Sequence, residues 1–156
     1  ASVGLCTRAA GAGKTVRFTQ FLKSGNSSEL KSLEKLGVRV TPANGPKKFV
    51  FQMNEEEKRA CAAESEQLLR DSFALAEAED GDLLVLDELC AAITMGMVPL
   101  TAVLALIRER PEKLELVITG RDPAPELQEL ADYVSEVCKR KHPYDQGIDA
   151  RRGIEF

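Results

Sequence analysis

Two short apolar runs, each broken off by a polar cluster, limit what this chain can become more than any other feature. The first is Leu83-Leu84-Val85-Leu86, followed directly by Asp87-Glu88. The second is Leu114-Glu115-Leu116-Val117-Ile118, followed by Thr119-Gly120-Arg121-Asp122. Leu/Val/Ile runs of this length read as strands covered on both faces, as in a parallel sheet. Ligands of open α/β sheets bind beyond the carboxyl ends of such strands. Those ends supply a pair of carboxylates in one place and a guanidinium beside a glycine in the other. Acidic groups for a cation and forked donors for an anion are what a metal-bound polyphosphate requires.

The rest of the chain fits around these strands. Ala1 to Ala10 reads as a helix stopped by Gly11 and Gly13, and Val16 to Phe21 alternates like a strand. A short helix opens at Ser27-Ser28-Glu29 and stops at Gly37. Val38 to Thr41 is a second short strand, and Pro42 to Pro46 is loop. The longest helix runs from Asn54, its N-cap, to about Glu79. Its apolar stripe through Leu68, Leu69 and Phe73 reads as core. Further helices are expected at Leu100–Arg110 and Pro123–Ala131, with a last strand at Val134–Cys138. The alternation predicts a doubly wound α/β domain with a mainly parallel sheet, a single domain over residues 1–156.

Composition removes several classes. A net charge of −4 and no basic face argue against nucleic-acid binding. No run approaches the roughly 20 apolar residues of a membrane span, so neither a membrane nor a nucleic acid is expected as partner. Cys6, Cys61, Cys90 and Cys138 are widely spaced and His142 is the lone histidine, which argues against structural zinc. Reduced thiols and a cytoplasmic location are expected.

Gly11-Ala12-Gly13-Lys14-Thr15 imitates the end of a phosphate-binding P-loop, G-x-x-x-x-G-K-[ST]. The position for the first glycine holds Arg8, and the residues after Lys14 have strand rather than helix periodicity. A P-loop needs a helix there, because its amino-terminal amides hold the phosphates. The segment therefore reads as a helix-to-strand turn.

Several stretches, in order, resemble one family. They are Arg8-Ala9-Ala10-Gly11-x-Gly13-Lys14, Gln20-Phe21-Leu22-Lys23, Leu86-Asp87-Glu88-Leu89, Arg110-Pro111, Thr119-Gly120-Arg121 and Leu130-Ala131-Asp132. The tail Lys141-His142-Pro143-Tyr144-Asp145-x-Gly147-Ile148-x-Ala150-x-x-Gly153-Ile154-Glu155-Phe156 carries the most specific part. Together they resemble the P-loop type of ATP:cob(I)alamin (corrinoid) adenosyltransferases. The resemblance implies a P-loop NTPase-like, RecA-like fold whose first strand and P-loop are missing from the sequence as given. It also implies a transferase that moves the 5′-deoxyadenosyl group of ATP to the cobalt of a reduced corrinoid, releasing triphosphate. The alternatives are another P-loop NTPase or kinase, and a nonenzymatic corrinoid-binding protein.

By the same resemblance Glu88 is the expected Mg²⁺ ligand, with Asp87 beside it as second ligand or orienter. Arg121, Thr119, Gly120 and Arg8 are expected to bind ATP phosphates or ribose. Phe49, Phe51 and Lys23 are the expected corrinoid contacts, although the segment Lys47 to Met53 lacks tryptophan. No general base is expected, since Co(I) is itself the nucleophile. His142 is assigned a structural or tail-docking role. A homodimer and an electron donor such as a flavoprotein reductase complete the expected partners.

Overall fold

The computed structural model describes residues 1–23, 25, 27–41, 48 and 50–154. The loop expected at 42–46 and the corrinoid contact Phe49 lie outside the described residues. The chain divides into two compact units, Ala1–Pro123 and Ala124–Phe156. The first contains α1 (Ser2–Gly11), β1 (Val16–Gln20), α2 (Ser28–Lys35), β2 (Arg39–Thr41), α3 (Glu55–Ala78), β3 (Leu83–Asp87), α4 (Leu89–Thr94), α5 (Leu100–Glu109) and β4 (Glu115–Ile118). The second contains α6 (Pro125–Leu130) and a 3₁₀ turn, Pro143–Gln146.

The strands form one sheet in the order β2-β1-β3-β4, and every pair is parallel. Side chains alternate across it with the two-residue period of extended chain. Val16 and Phe18 of β1 and Leu83 and Val85 of β3 join Cys6 of α1, Leu30 and Leu33 of α2, and Val38 in one buried cluster. The opposite face of β1 meets α3, which also packs on β3 and α5. There the alternation conceals a surprise: Arg17 and Thr19 are buried, not solvent-facing. Arg17 pairs with Glu79 at the end of α3 and donates to Thr41 Oγ1 at 2.9 Å. Thr19 and Ser72 share a 2.7 Å hydroxyl contact, and Ser72 donates onward to the Leu68 carbonyl. β1 is thus a central strand whose buried Arg17 and Thr19 are satisfied by partners on α3 and β2.

α3 starts where Asn54 places it. The Asn54 side chain accepts from the Glu57 amide at 2.8 Å, while the Glu57 carboxylate accepts from the Asn54 amide at 3.0 Å. This reciprocal cap satisfies two amides that the first turn otherwise leaves open. α4, not anticipated from sequence, starts immediately after Glu88 and has no side-chain cap.

The Val134–Cys138 strand is a correction: residues 131–142 are irregular. A strand needs a neighbour for its amide and carbonyl groups, and Tyr133, Val134 and Val137 stand exposed instead. The segment's valines are also three residues apart, which does not fit a two-residue period.

Topology points to one crevice. From β1 the chain steps outward through α2 to β2, then returns past β1 through α3 to β3. Parallel crossovers are right-handed, so steps in opposite directions put their helices on opposite faces. The direction of winding reverses between β1 and β3. The carboxyl ends of those two strands flank the place where open sheets hold ligands.

Candidate functional site

Gln20 and Asp87 end β1 and β3 and lie opposite each other in register. Asp87 is the hub of a hydrogen-bonded group. Its Oδ1 accepts from Ser2 Oγ of α1 at 3.0 Å and from Thr119 Oγ1 beyond β4 at 2.8 Å. Its Oδ2 accepts from Gln20 Nε2 at 3.1 Å. The same Nε2 donates to Glu29 Oε1 of α2 at 3.1 Å, and Lys23 Nζ stands 3.7 Å from that oxygen. Three donors, from α1, β1 and the turn after β4, thus converge on one carboxylate, which fixes its orientation and leaves little of its hydrogen-bonding capacity unused.

Glu88 follows in a left-handed conformation, φ 62. A residue with a Cβ pays roughly 1–2 kcal/mol for that geometry. Its amide is held by Thr119 Oγ1 at 3.1 Å, so a single threonine hydroxyl ties both acidic residues to the end of β4. The Glu88 carboxylate is half-buried and takes no hydrogen bond among the described residues. Leu22 beyond β1 and Asp122 beyond β4 also have positive φ, 60 and 51. Strained backbone after three of the four strands collects at this one edge, as it does at functional sites.

Gly120 explains how tightly the turns meet. Its φ is +138, and a Cβ there would stand 2.7 Å from Cys90 Cβ and 3.1 Å from the Ala91 amide nitrogen. The Cys90 amide donates to the Thr119 carbonyl at 3.1 Å. Arg121, next in sequence, is exposed. The Asp87-Glu88 and Thr119-Gly120-Arg121 segments are therefore brought together.

Ser2 lies beside Asp87, so α1 descends from this edge, and Arg8 sits six residues on, about 9 Å along the axis at 1.5 Å per residue. Arg8 is exposed and is not brought to the acidic pair. Phe51 occupies a short 3₁₀ turn, Val50–Gln52, with 80% of its surface exposed. Lys14 of the P-loop imitation pairs with Asp82 at 2.9 Å, at the amino ends of the strands. The Thr15 amide also donates to Asp82, at 2.8 Å, so this segment is the turn expected of it. His142 accepts from the Tyr144 amide at 3.1 Å and caps the 3₁₀ turn.

Ser2, Gln20 and Glu29 were not singled out from sequence. Gln20 was legible in principle, as the polar residue closing a strand that faces the ligand edge. Ser2 and Glu29 show no such signal, because their approach to Asp87 depends on how α1 and α2 pack. Cys6 lies near this group as a neutral thiol: burial, reinforced by the Asp87 charge, pushes its pKa up to about 11.

A family model described as ATP:corrinoid adenosyltransferase BtuR/CobO/CobP matches residues 1–156. The corrinoid adenosyltransferase of Escherichia coli strain K12 is 33% identical over 160 residues, covering 100% of this chain and 78% of that protein. The corrinoid adenosyltransferase CobA of Salmonella typhimurium strain LT2 is 32% identical with the same coverage. The corrinoid adenosyltransferase of Pseudomonas aeruginosa strain PAO1 is 33% identical over 159 residues, 98% of this chain and 75% of that protein. With a parallel α/β sheet, an organised acidic pair at its carboxyl edge and these matches along its length, the chain belongs to the ATP:corrinoid adenosyltransferase family.

Proposed function

We propose that this protein transfers the 5′-deoxyadenosyl group of ATP to the cobalt of a reduced corrinoid and releases triphosphate. The observation that carries the reading is the family match over residues 1–156. Co(I) supplies the electron pair that forms the cobalt–carbon bond, and the carbon–oxygen bond to triphosphate breaks. No proton has to be abstracted. The protein's task is to align the 5′ carbon with cobalt and to stabilise a leaving group of high negative charge.

The acidic pair fits a magnesium ion in kind. Carboxylate oxygens are the hard donors that Mg²⁺ prefers, and the Glu88 carboxylate has no competing partner among the described residues. Asp87, loaded with three donors, is suited to orient the site rather than to enclose a cation alone. The cation would offset phosphate charge. Arg121 is assigned to the triphosphate or ribose, where a forked, exposed guanidinium is effective, and Thr119 and Gly120 shape the turn that presents it.

On the corrinoid side, exposed Phe51 offers a flat apolar surface for the macrocycle, and Lys23 stands at the same sheet edge as the acidic group. Phe49 is assigned to the same surface by its place in sequence. Arg8 has less support as a phosphate contact, given its distance down α1. A homodimer, a flavoprotein electron donor and a cytoplasmic setting belong to the same proposal; no helix among the described residues is long and apolar enough to cross a membrane.

The test mixes full-length protein, Mg-ATP and pre-reduced cobalamin without oxygen. A cobalt–carbon absorption band together with stoichiometric triphosphate is expected. Release of ADP and phosphate without that band would replace this reading with a hydrolytic one.

A further inference from the structure

We infer that Gln20 is a substrate-binding residue whose side-chain carbonyl accepts a hydrogen bond from an O–H donor of the bound metal–nucleotide. The inference rests on the nucleotide reading above and adds a residue and a contact to it. Gln20 is 1% exposed and closes β1 opposite Asp87, at the point where the winding reverses. Its Nε2 donates to both Glu29 Oε1 and Asp87 Oδ2, each at 3.1 Å.

That arrangement fixes the amide. Two carboxylates can only accept, so the NH₂ group must face them; the flipped amide would set its oxygen against two anions. The oxygen that remains, Oε1, is buried and has no hydrogen-bond partner among the described residues. Among the described residues, the nearby side-chain donors are already committed. The Ser2 and Thr119 hydroxyls donate to Asp87, and Lys23 is directed to Glu29. Buried carbonyls are nearly always paired, and a methionine would fill similar space without the defect. A donor from outside the chain completes the group.

The chemistry of that donor is restricted. An ionised phosphate has only acceptors, and the orphaned carbonyl with two carboxylates beside it would repel one. A ribose hydroxyl, or a water held on the nucleotide's magnesium, presents an O–H. Both sit on the nucleotide at the crevice where open sheets bind such ligands.

Two substitutions separate acceptance from bridging. Gln20→Lys keeps donors for Glu29 and Asp87 and removes the acceptor, whereas Gln20→Met removes both. Calorimetric titration of the full-length protein with Mg-ATP should show binding about 3- to 10-fold weaker in each variant, the loss of one hydrogen bond. Cobalamin affinity should be unchanged. In the wild type, the Gln20 side-chain carbonyl carbon resonance should move when Mg-ATP is added, a readout that survives if a variant fails to fold. Repeating the titration with metal-free ATP and with adenosine identifies the source. A loss that persists assigns the ribose hydroxyl; one that disappears assigns the magnesium water. Wild-type affinity in a folded Gln20→Lys, an effect on cobalamin alone, or a stationary Gln20 resonance with Mg-ATP bound would each overturn the inference. Failure of the wild type to bind Mg-ATP would instead overturn the nucleotide reading together with it.

Discussion

Thr119 does two jobs with one oxygen, donating to Asp87 and accepting from the Glu88 amide. Replacing it with valine keeps the shape and removes both bonds. Thr119→Val should cost about 1–3 kcal/mol of stability and lower turnover more than it weakens ATP binding, because the acidic pair loses its orientation. Chemical denaturation and steady-state kinetics check the two parts; an unchanged kcat would separate Thr119 from the site. Gly120→Ala places a Cβ 2.7 Å from Cys90 Cβ at a φ of +138. Strain and collision together should cost about 2–5 kcal/mol, visible as a lowered denaturation midpoint.

At the scale of elements, the Arg17–Glu79 pair joins β1 to the end of α3, and Arg39 of β2 reaches the same carboxylate at 3.2 Å. Arg17 and Arg39 are register partners, so Glu79 also separates like charges. Burial raises the Glu79 pKa, but hydrogen bonds from Arg17 and Arg39 outweigh it and hold the group below the ordinary value of 4.5. A carboxylate depressed in the fold contributes stability that is present above its unfolded pKa and is lost as pH falls through the folded one. The melting temperature should therefore drop below about pH 4.5, and Glu79→Gln should flatten that acid limb while lowering stability near neutrality. An acid limb of unchanged steepness would remove Glu79 from its causes. This network also marks a limit of what the sequence alone specifies. The strand at Val16–Gln20 was legible from alternation, and the start of α3 from Asn54 and its glutamates. That the polar half of the alternation is buried was not legible, because it depends on Glu79 and Ser72, more than fifty residues away in sequence. α4 was not legible for a local reason: six residues with no capping side chain carry almost no helical signal.

For the molecule as a whole, the four thiols report the fold. Cys6, Cys61 and Cys90 are buried and Cys138 is exposed. Burial raises the pKa of each of the three buried thiols, with Asp87 adding to the effect at Cys6 and Glu88 at Cys90. Brief alkylation of the native protein near neutral pH should label Cys138 alone, and all four after denaturation, as read by mass spectrometry. The Cys6 contribution to stability is full below the ordinary value of 9.0 and falls as pH rises through about 11. The acidic and basic halves of the candidate site were legible because parallel strands announce their ends and ligands gather there. Its third part, the Ser2 and Glu29 contacts, is written in the packing of α1 and α2 and not in any motif.

The proposed nucleotide position is the carboxyl edge of the sheet, beyond β1, β3 and β4, and not the Gly11-Ala12-Gly13-Lys14-Thr15 turn. The two places lie at opposite ends of five-residue strands, roughly 15 Å apart at about 3.3 Å per residue. Replacing magnesium with paramagnetic Mn²⁺ in the ATP complex of the full-length protein distinguishes them by nuclear magnetic resonance. The amide signals of Asp87 to Cys90 and Thr119 to Arg121 should broaden first, while those of Lys14, Thr15 and Asp82 stay sharp. Selective broadening of Lys14, Thr15 and Asp82 would contradict it.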